Sequence, residues 1–336
     1  MRVFNFKCHD FEPSIGDTSM RFKYRTKIVI ILAALCLTFG LVQTQCATAQ
    51  EAAQQAKPKA KQRGGFMGMQ ADPRVQTRTY LFKETNEEMQ YMVFVPSTVN
   101  KDKKAPLIMT LHGLGVGPVF MMGTEAVDLA EEGGYILVGP MGYNERGWFG
   151  IPMGQKKDSG KTTPKPKDQT TEAKPDTSAK PKPKISMFSN ANDPPNLREL
   201  SEKDVMNVLD IVRKEFNVDE NRIYLMGHSM GGAGTLYLGV KYASIWAALA
   251  PVAPAAFGLN PDSLAEIKDM PVIFVHGDAD EMVPVANTRR WVEKAKELNM
   301  TYEYNEMPGI SHGPVINASL PSVYEFFGKH SKPATR

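Results

Sequence analysis

At 336 residues, with 42% hydrophobic and 9% aromatic side chains, the chain carries enough apolar material for one large or two small globular domains, which excludes the disordered and fibrous classes. The formal charge of +3 is unevenly spread: residues 1–49 hold six basic and three acidic side chains, residues 155–184 hold nine lysines and four acids, and the remainder is about −5. A body of that sign gives no reason to expect a nucleic-acid partner.

In chain order, residues 1–49 read as an N-terminal extension and export signal. "RFKYRTK" (21–27) is a basic region, "IVIILAALCLTFGLV" (28–42) is apolar, and "ATA" (47–49) fits the small-x-small pattern before a cleavage point. This predicts a secreted or periplasmic protein cleaved near Ala49, with Met20 as an alternative start. The rival is an uncleaved anchor, although 15 residues fall short of the roughly 20 that span a bilayer. A lipoprotein reading would need Cys46 or Cys36, and the polar Gln43-Thr44-Gln45 and the bulky Leu35 argue against it. After cleavage no stable membrane insertion is expected. Cys8, Cys36 and Cys46 all precede the cleavage point, so the mature chain is expected to have no disulfide, no cysteine nucleophile and no thiolate metal site.

Residues 50–76 read as a flexible leader. Residues 77–84 and 89–96 predict an antiparallel strand pair turning at "TNEE". "APLIMTLHG" (105–113) and "YILVGP" (135–140) predict buried strands, with a helix over 124–135 whose buried face is Val127, Leu129 and Ala130. Residues 154–185 are rich in Lys, Pro and Thr and nearly free of hydrophobes, which predicts a disordered segment. It reads as a solvated spacer rather than a tether to an acidic surface. Beyond it come a helix over 201–216 with Ser201 and Asp204 as a cap, strands at 222–228, 246–253 and 271–277, a helix over 286–299, a strand at 301–307 and a closing helix over 321–330. Strand–helix alternation on both sides of 154–185 predicts one α/β domain over 77–330, with a mostly parallel central sheet, helices on both faces and a tail at 331–336.

Gly227-His228-Ser229-Met230-Gly231 is a G-x-S-x-G sequence with an apolar strand before it and a Gly/Ala-rich helical segment after it. Glycines two residues either side remove Cβ atoms that would clash with the neighbouring strand and helix, so Ser229 projects from a strained turn. The following helix points its free N–H groups at the place where an oxyanion would form. Of the six histidines, His9 is lost with the signal, His112 and His276 end strands, and His228 lies inside the turn with its side chain expected to point away from Ser229. Only His312 and His330 follow every candidate acid, and His312, in the loop "GISHGPV", is the expected base. Asp278, Asp280 and Glu281 follow a strand. Asp280 is the preferred acid, with Asp278 expected to shape its own turn through local backbone N–H groups. The second oxyanion donor is expected from "LHGLGVG" (111–117): Leu114 N–H first, Gly115 next, beside Met230 N–H. Trp148 and Phe149 read equally as pocket lining or as core, and Met121 and Met122 as packing.

"LHGLG", "GHSMGG", "HGDADEMVP" and "GISHG", in this order, resemble the α/β-hydrolase fold. More narrowly they resemble secreted bacterial esterases of the polyhydroxybutyrate-depolymerase and feruloyl-esterase type and the related prolyl-oligopeptidase-like hydrolases. The resemblance spans about 77–330 and implies a Ser229–His312–Asp280 triad, an acyl-enzyme, no metal or cofactor, and a small or polymeric ester as substrate. The alternatives are a serine peptidase, which the chain has no room to equip with a β-propeller, and a catalytically silent binding protein on the same fold.

Overall fold

The computed structural model describes residues 70–152, 190 and 192–333. These all fall in the unit that spans Lys61–Arg336. The expected signal, the leader up to residue 69, the three cysteines and the whole of the Lys/Pro-rich segment 154–185 lie outside the described residues.

Eight strands form one sheet in the order β1-β2-β4-β3-β5-β6-β7-β8. The strands are β1 (Gln76–Phe82), β2 (Glu87–Phe94), β3 (Ala105–Leu111), β4 (Ile136–Pro140), β5 (Val218–His228), β6 (Ala248–Val252), β7 (Val272–Gly277) and β8 (Tyr302–Met307). β1 and β2 pair antiparallel, as does β2 with β4, and every pair from β4 to β8 is parallel. Four strands before residues 153–189 and four after them share this sheet. The break in sequence is therefore no break in the sheet.

Among the described residues, five α-helices cover it: α1 (Thr124–Gly133), α2 (Leu197–Glu215), α3 (Met230–Lys241), α4 (Ala286–Glu297) and α5 (Val315–Lys329). Period-2 alternation along fully buried strands sorts the core into two layers. Leu107, Met109 and Leu111 of β3 pack with α2, α3 and α4. Ile108 of the same strand packs with α1 and α5. Met121 and Met122 are buried in this second layer, as expected of packing residues.

Three local expectations need correction. Leu129 is only partly buried, and Ala126 joins Val127 and Ala130 on the buried face of α1. α5 starts at Val315 rather than near Pro321, which lies inside it, because Val315, Ile316 and Leu320 are buried against the sheet. α2 begins at Leu197, so Ser201 and Asp204 are not its cap. Their side chains instead satisfy the loop after β4: Ser201 Oγ accepts from Phe149 N–H at 3.0 Å, and Asp204 Oδ2 accepts from Gly142 N–H at 2.6 Å and Tyr143 N–H at 3.2 Å. The Tyr80 hydroxyl donates to the other Asp204 oxygen. That loop carries left-handed backbone at Gly142, Tyr143, Trp148, Phe149 and Gly150, and cannot bond its own amides in a ladder.

Burial pushes the Asp204 carboxyl up to about 6, against the pull of the Tyr80, Tyr143 and Gly142 donors. A carboxyl raised above its unfolded value of about 4 binds more protons folded than unfolded in between, so its stability contribution, present at low pH, is lost as pH rises from about 4 to about 6. Urea unfolding of the wild type should therefore show a decline across that window that Asp204→Asn lacks. Parallel pH profiles for the two proteins would contradict this.

Candidate active site

Ser229 joins the end of β5 to the start of α3 with φ 58° and ψ −114°, a conformation that an L-residue holds only when its surroundings enforce it. The enforcement is steric and hydrogen-bonded. A Cβ on Gly227 would lie 2.3 Å from Gly231 O, and one on Gly231 would lie 2.0 Å from Leu111 O. Ser229 N–H donates to Val252 O at 3.0 Å, and Ser229 O accepts from Ala233 N–H at 3.0 Å and Ala255 N–H at 2.9 Å. The turn is thus held from β3, from β6 and from α3 itself.

His312 and Asp280 arrive on the loops after β8 and β7. His312 Nδ1 donates to Asp280 Oδ2 at 2.6 Å, and the carboxylate is fully buried. Asp280 Oδ1 accepts from Met282 N–H at 2.9 Å and Val283 N–H at 2.8 Å. Burial works against its charge, but the Val283 N–H, His312 and the Met282 N–H hold the carboxyl below the usual range. With Nδ1 engaged, Nε2 is the His312 nitrogen left for chemistry.

Asp278 behaves differently from expectation. Its Oδ1 accepts from Gly309 N–H at 2.6 Å, on the His312 loop rather than in its own turn. Asp278 N–H to Met307 O at 3.1 Å and Ala279 N–H to Ile310 O at 3.2 Å complete a seam between the two loops. Asp278 is therefore a tie that sets the height of His312 relative to Asp280.

The other histidines are accounted for. His112 is fully buried, its ring nitrogens each 2.8 Å from a carbonyl oxygen, of Gly113 and of Met141. His330 follows α5, with its ring against Phe326. His228 does not simply turn away from the site. Its Nε2 donates to His312 O at 2.7 Å, and its ring lies 4.6 Å from that of His312 and 5.3 Å from that of Phe120. Burial first, then the neighbouring His312, lowers it to about 3, so it stays neutral and supports His312 without being able to act as a base. Neither Phe120 nor His276, which also contacts Asp280, was expected at the site. The cue for His276 was its position four residues before Asp280 on a strand end.

The loop after β3 runs beside Ser229: a Cβ on Gly113 would lie 3.6 Å from that of Ser229. Of the two N–H groups expected there, that of Gly115 is taken by Glu145 O at 3.0 Å. Met230 is the first residue of α3, so its N–H has no partner within the helix. Trp148 and Phe149 both lie in the core. The Phe149 ring fills the space over Gly142 and Gly234 and meets His112 edge-on at 5.4 Å, while Trp148 faces the Arg198 guanidinium at 5.4 Å.

A family model described as Phospholipase/Carboxylesterase matches residues 190–331, a span that contains Ser229, Asp280 and His312. Cutinase 1 of Thermobifida cellulosilytica is 30% identical over 114 residues, 34% of this chain and 40% of that protein. A bifunctional acetylxylan esterase/xylanase of Neocallimastix patriciarum is 35% identical over 80 residues, 24% of this chain and 11% of that protein. The chain thus spans well under two thirds of either relative. A ferulic acid esterase structure from Anaeromyces mucronatus superposes with a TM-score of 0.53 at 19% identity, covering 82% of this chain and 96% of that one, a likeness of fold. The chain has the α/β-hydrolase fold, and the stretch that the carboxylesterase model matches holds all three residues.

The two kinds of glycine at this edge should respond differently. Gly231→Ala drives a Cβ into backbone and should lower Tm by about 10 °C or more, or abolish soluble protein. Gly115→Ala meets no atom within 4 Å and is strained only by its φ of +76°, costing about 1–2 kcal/mol. Thermal melts of equal depth for both would contradict the close-packing account.

Proposed function

We propose that the chain is a serine hydrolase of carboxylic esters. The observation that carries this reading is the 2.6 Å bond from His312 Nδ1 to the buried Asp280, made across the loop seam at the sheet edge where Ser229 caps α3. Ser229 Oγ attacks the ester carbonyl while His312 Nε2 takes its proton. The oxyanion is held by the N–H groups of Leu114 and Met230, helped by the N-terminal dipole of α3. His312 returns the proton to the leaving alcohol, and the acyl group stays on Ser229. Water, deprotonated by the same imidazole, then releases the acid. Asp280 keeps the tautomer that leaves Nε2 free and stabilises the imidazolium.

The names of the similar proteins support an ester as the bond cleaved: the matching family includes carboxylesterases, and the relatives are a cutinase and an acetylxylan esterase. The substrate in this reading is a small or polymeric carboxylic ester. Export is part of the proposal and rests on residues 21–49 of the sequence. Among the described residues, no helix is long and apolar enough to cross a membrane.

Hydrolysis of short-chain 4-nitrophenyl esters, compared with a matched anilide, tests the reading. The native protein should turn over the ester in preference to the anilide. Ser229→Ala should reduce kcat/KM to background, and Asp280→Asn should lower kcat by about 10³–10⁴-fold with little change in fold. No ester turnover by the native protein, or equal activity in Ser229→Ala, would overturn the assignment.

A further inference from the structure

The Asp280 carboxylate meets a second imidazole. Its Oδ2, which receives the proton of His312 Nδ1, also lies 3.1 Å from His276 Nε2, and both side chains of that contact are fully buried. His276 Nε2 is 2.9 Å from Val283 O, and its Nδ1 is 2.6 Å from Thr288 Oγ1 at the start of α4. These partners fix the tautomer. A carbonyl only accepts, so Nε2 carries the proton, and Nδ1 then accepts from the buried Thr288 hydroxyl. Burial holds the ring neutral although Val283 O and Asp280 favour its protonation. His276 therefore has one N–H, shared between Val283 O and Asp280 Oδ2.

We propose that His276 is a positioning residue for the Asp280–His312 pair, donating its Nε2–H to the same carboxylate oxygen that His312 uses and so setting both the orientation of that carboxylate and its strength as an acceptor. This rests on the reading of His312 as base and Asp280 as its partner. With two backbone N–H groups on Oδ1 and two imidazoles on Oδ2, the carboxylate is left one orientation. An oxygen shared between two donors attracts the His312 proton less strongly than one that serves His312 alone.

Among the described residues, no other charged group facing the pair serves Oδ2. His228, at the end of β5, is neutral and bonds the His312 carbonyl. Glu306 of β8 is engaged by Arg289 of α4 at 2.9 and 2.5 Å. Asp278 is tied to Gly309, and Glu281 is exposed on the Asp280 loop. Among the described residues, the donor chain Thr288–His276 is thus the one input to that oxygen besides His312.

Three variants of the full chain test this. His276→Leu removes the donor, His276→Gln puts an amide N–H in place of Nε2–H, and Thr288→Val removes the hydroxyl that polarises the imidazole while leaving the imidazole in place. In the pH profile of kcat/KM for a 4-nitrophenyl ester, the acid limb of His276→Leu should move up by about 0.5 pH unit or more, with kcat down about tenfold and KM little changed. His276→Gln should bring the limb back toward its native position, and Thr288→Val should shift it in the same direction as His276→Leu by less. The low-field proton resonance of His312 Nδ1, recorded in a Ser229→Ala background, should move further downfield when the His276 donor is lost. That readout needs no turnover. A moved resonance in a chain without ester hydrolysis would contradict the esterase reading alone. An unmoved resonance, or equal losses in His276→Leu and His276→Gln with the acid limb in place, would overturn the role of His276. If His276→Leu fails to fold, Thr288→Val decides by the same two readouts.

Discussion

A side chain on Gly231 would place its Cβ 2.0 Å from the carbonyl oxygen of Leu111, and the edge of the sheet that carries Ser229 depends on that closeness. With no side chain there, α3 comes down onto the ends of β3 and β5. The chain must then leave β5 through one residue in a conformation that costs energy, and that residue is Ser229. The same approach sets the first N–H of α3 beside the loop after β3, where Gly113 lies against the serine. Strand order does the rest. β5 is central, so Ser229 is flanked by the loops after β3 on one side and after β6 and β7 on the other.

The second constraint is the seam between the loops after β7 and β8. Neither loop is long, and neither carries an element of its own to hold a base in place. They hold each other, through Asp278 and Ala279 on one side and Met307, Gly309 and Ile310 on the other. A Cβ on Gly277 would lie 2.0 Å from Ile310 O, so this contact too is close enough to require glycine. His312 therefore rides on a two-loop platform whose buried centre is Asp280. The carboxylate organises that centre because four hydrogen-bond donors converge on it, two from backbone and two from imidazoles.

Much of this was legible in the sequence because its cues are local. Buried parallel strands announce themselves as apolar runs, and G-x-S-x-G between a strand and a small-residue helix states both the turn and its steric reason. Asp280 and His312 were reached by chain order, since the strand ends fix which side chains share an edge. What was not legible is contact across the chain. Ser201 and Asp204 look like a helix cap in sequence, yet they serve amides more than fifty residues away. The start of α5 was hidden because Pro321 reads as a helix beginning, while burial of Val315 and Ile316 extends the helix before it. His228 and His276 were read as bystanders, because adjacency in sequence says nothing of which carbonyl or carboxylate an imidazole will meet.

The central claim is that Ser229 is the nucleophile, with the His312–Asp280 pair as its activator. The most direct measurement is covalent: the protein is treated with an aryl phosphonate that mimics the tetrahedral intermediate, and the adduct is located by peptide mass spectrometry. The account predicts one adduct, on Ser229, absent from Ser229→Ala and formed far more slowly in Asp280→Asn. Labelling at another residue, or labelling of Ser229 at the same rate when Asp280 is replaced, would contradict it.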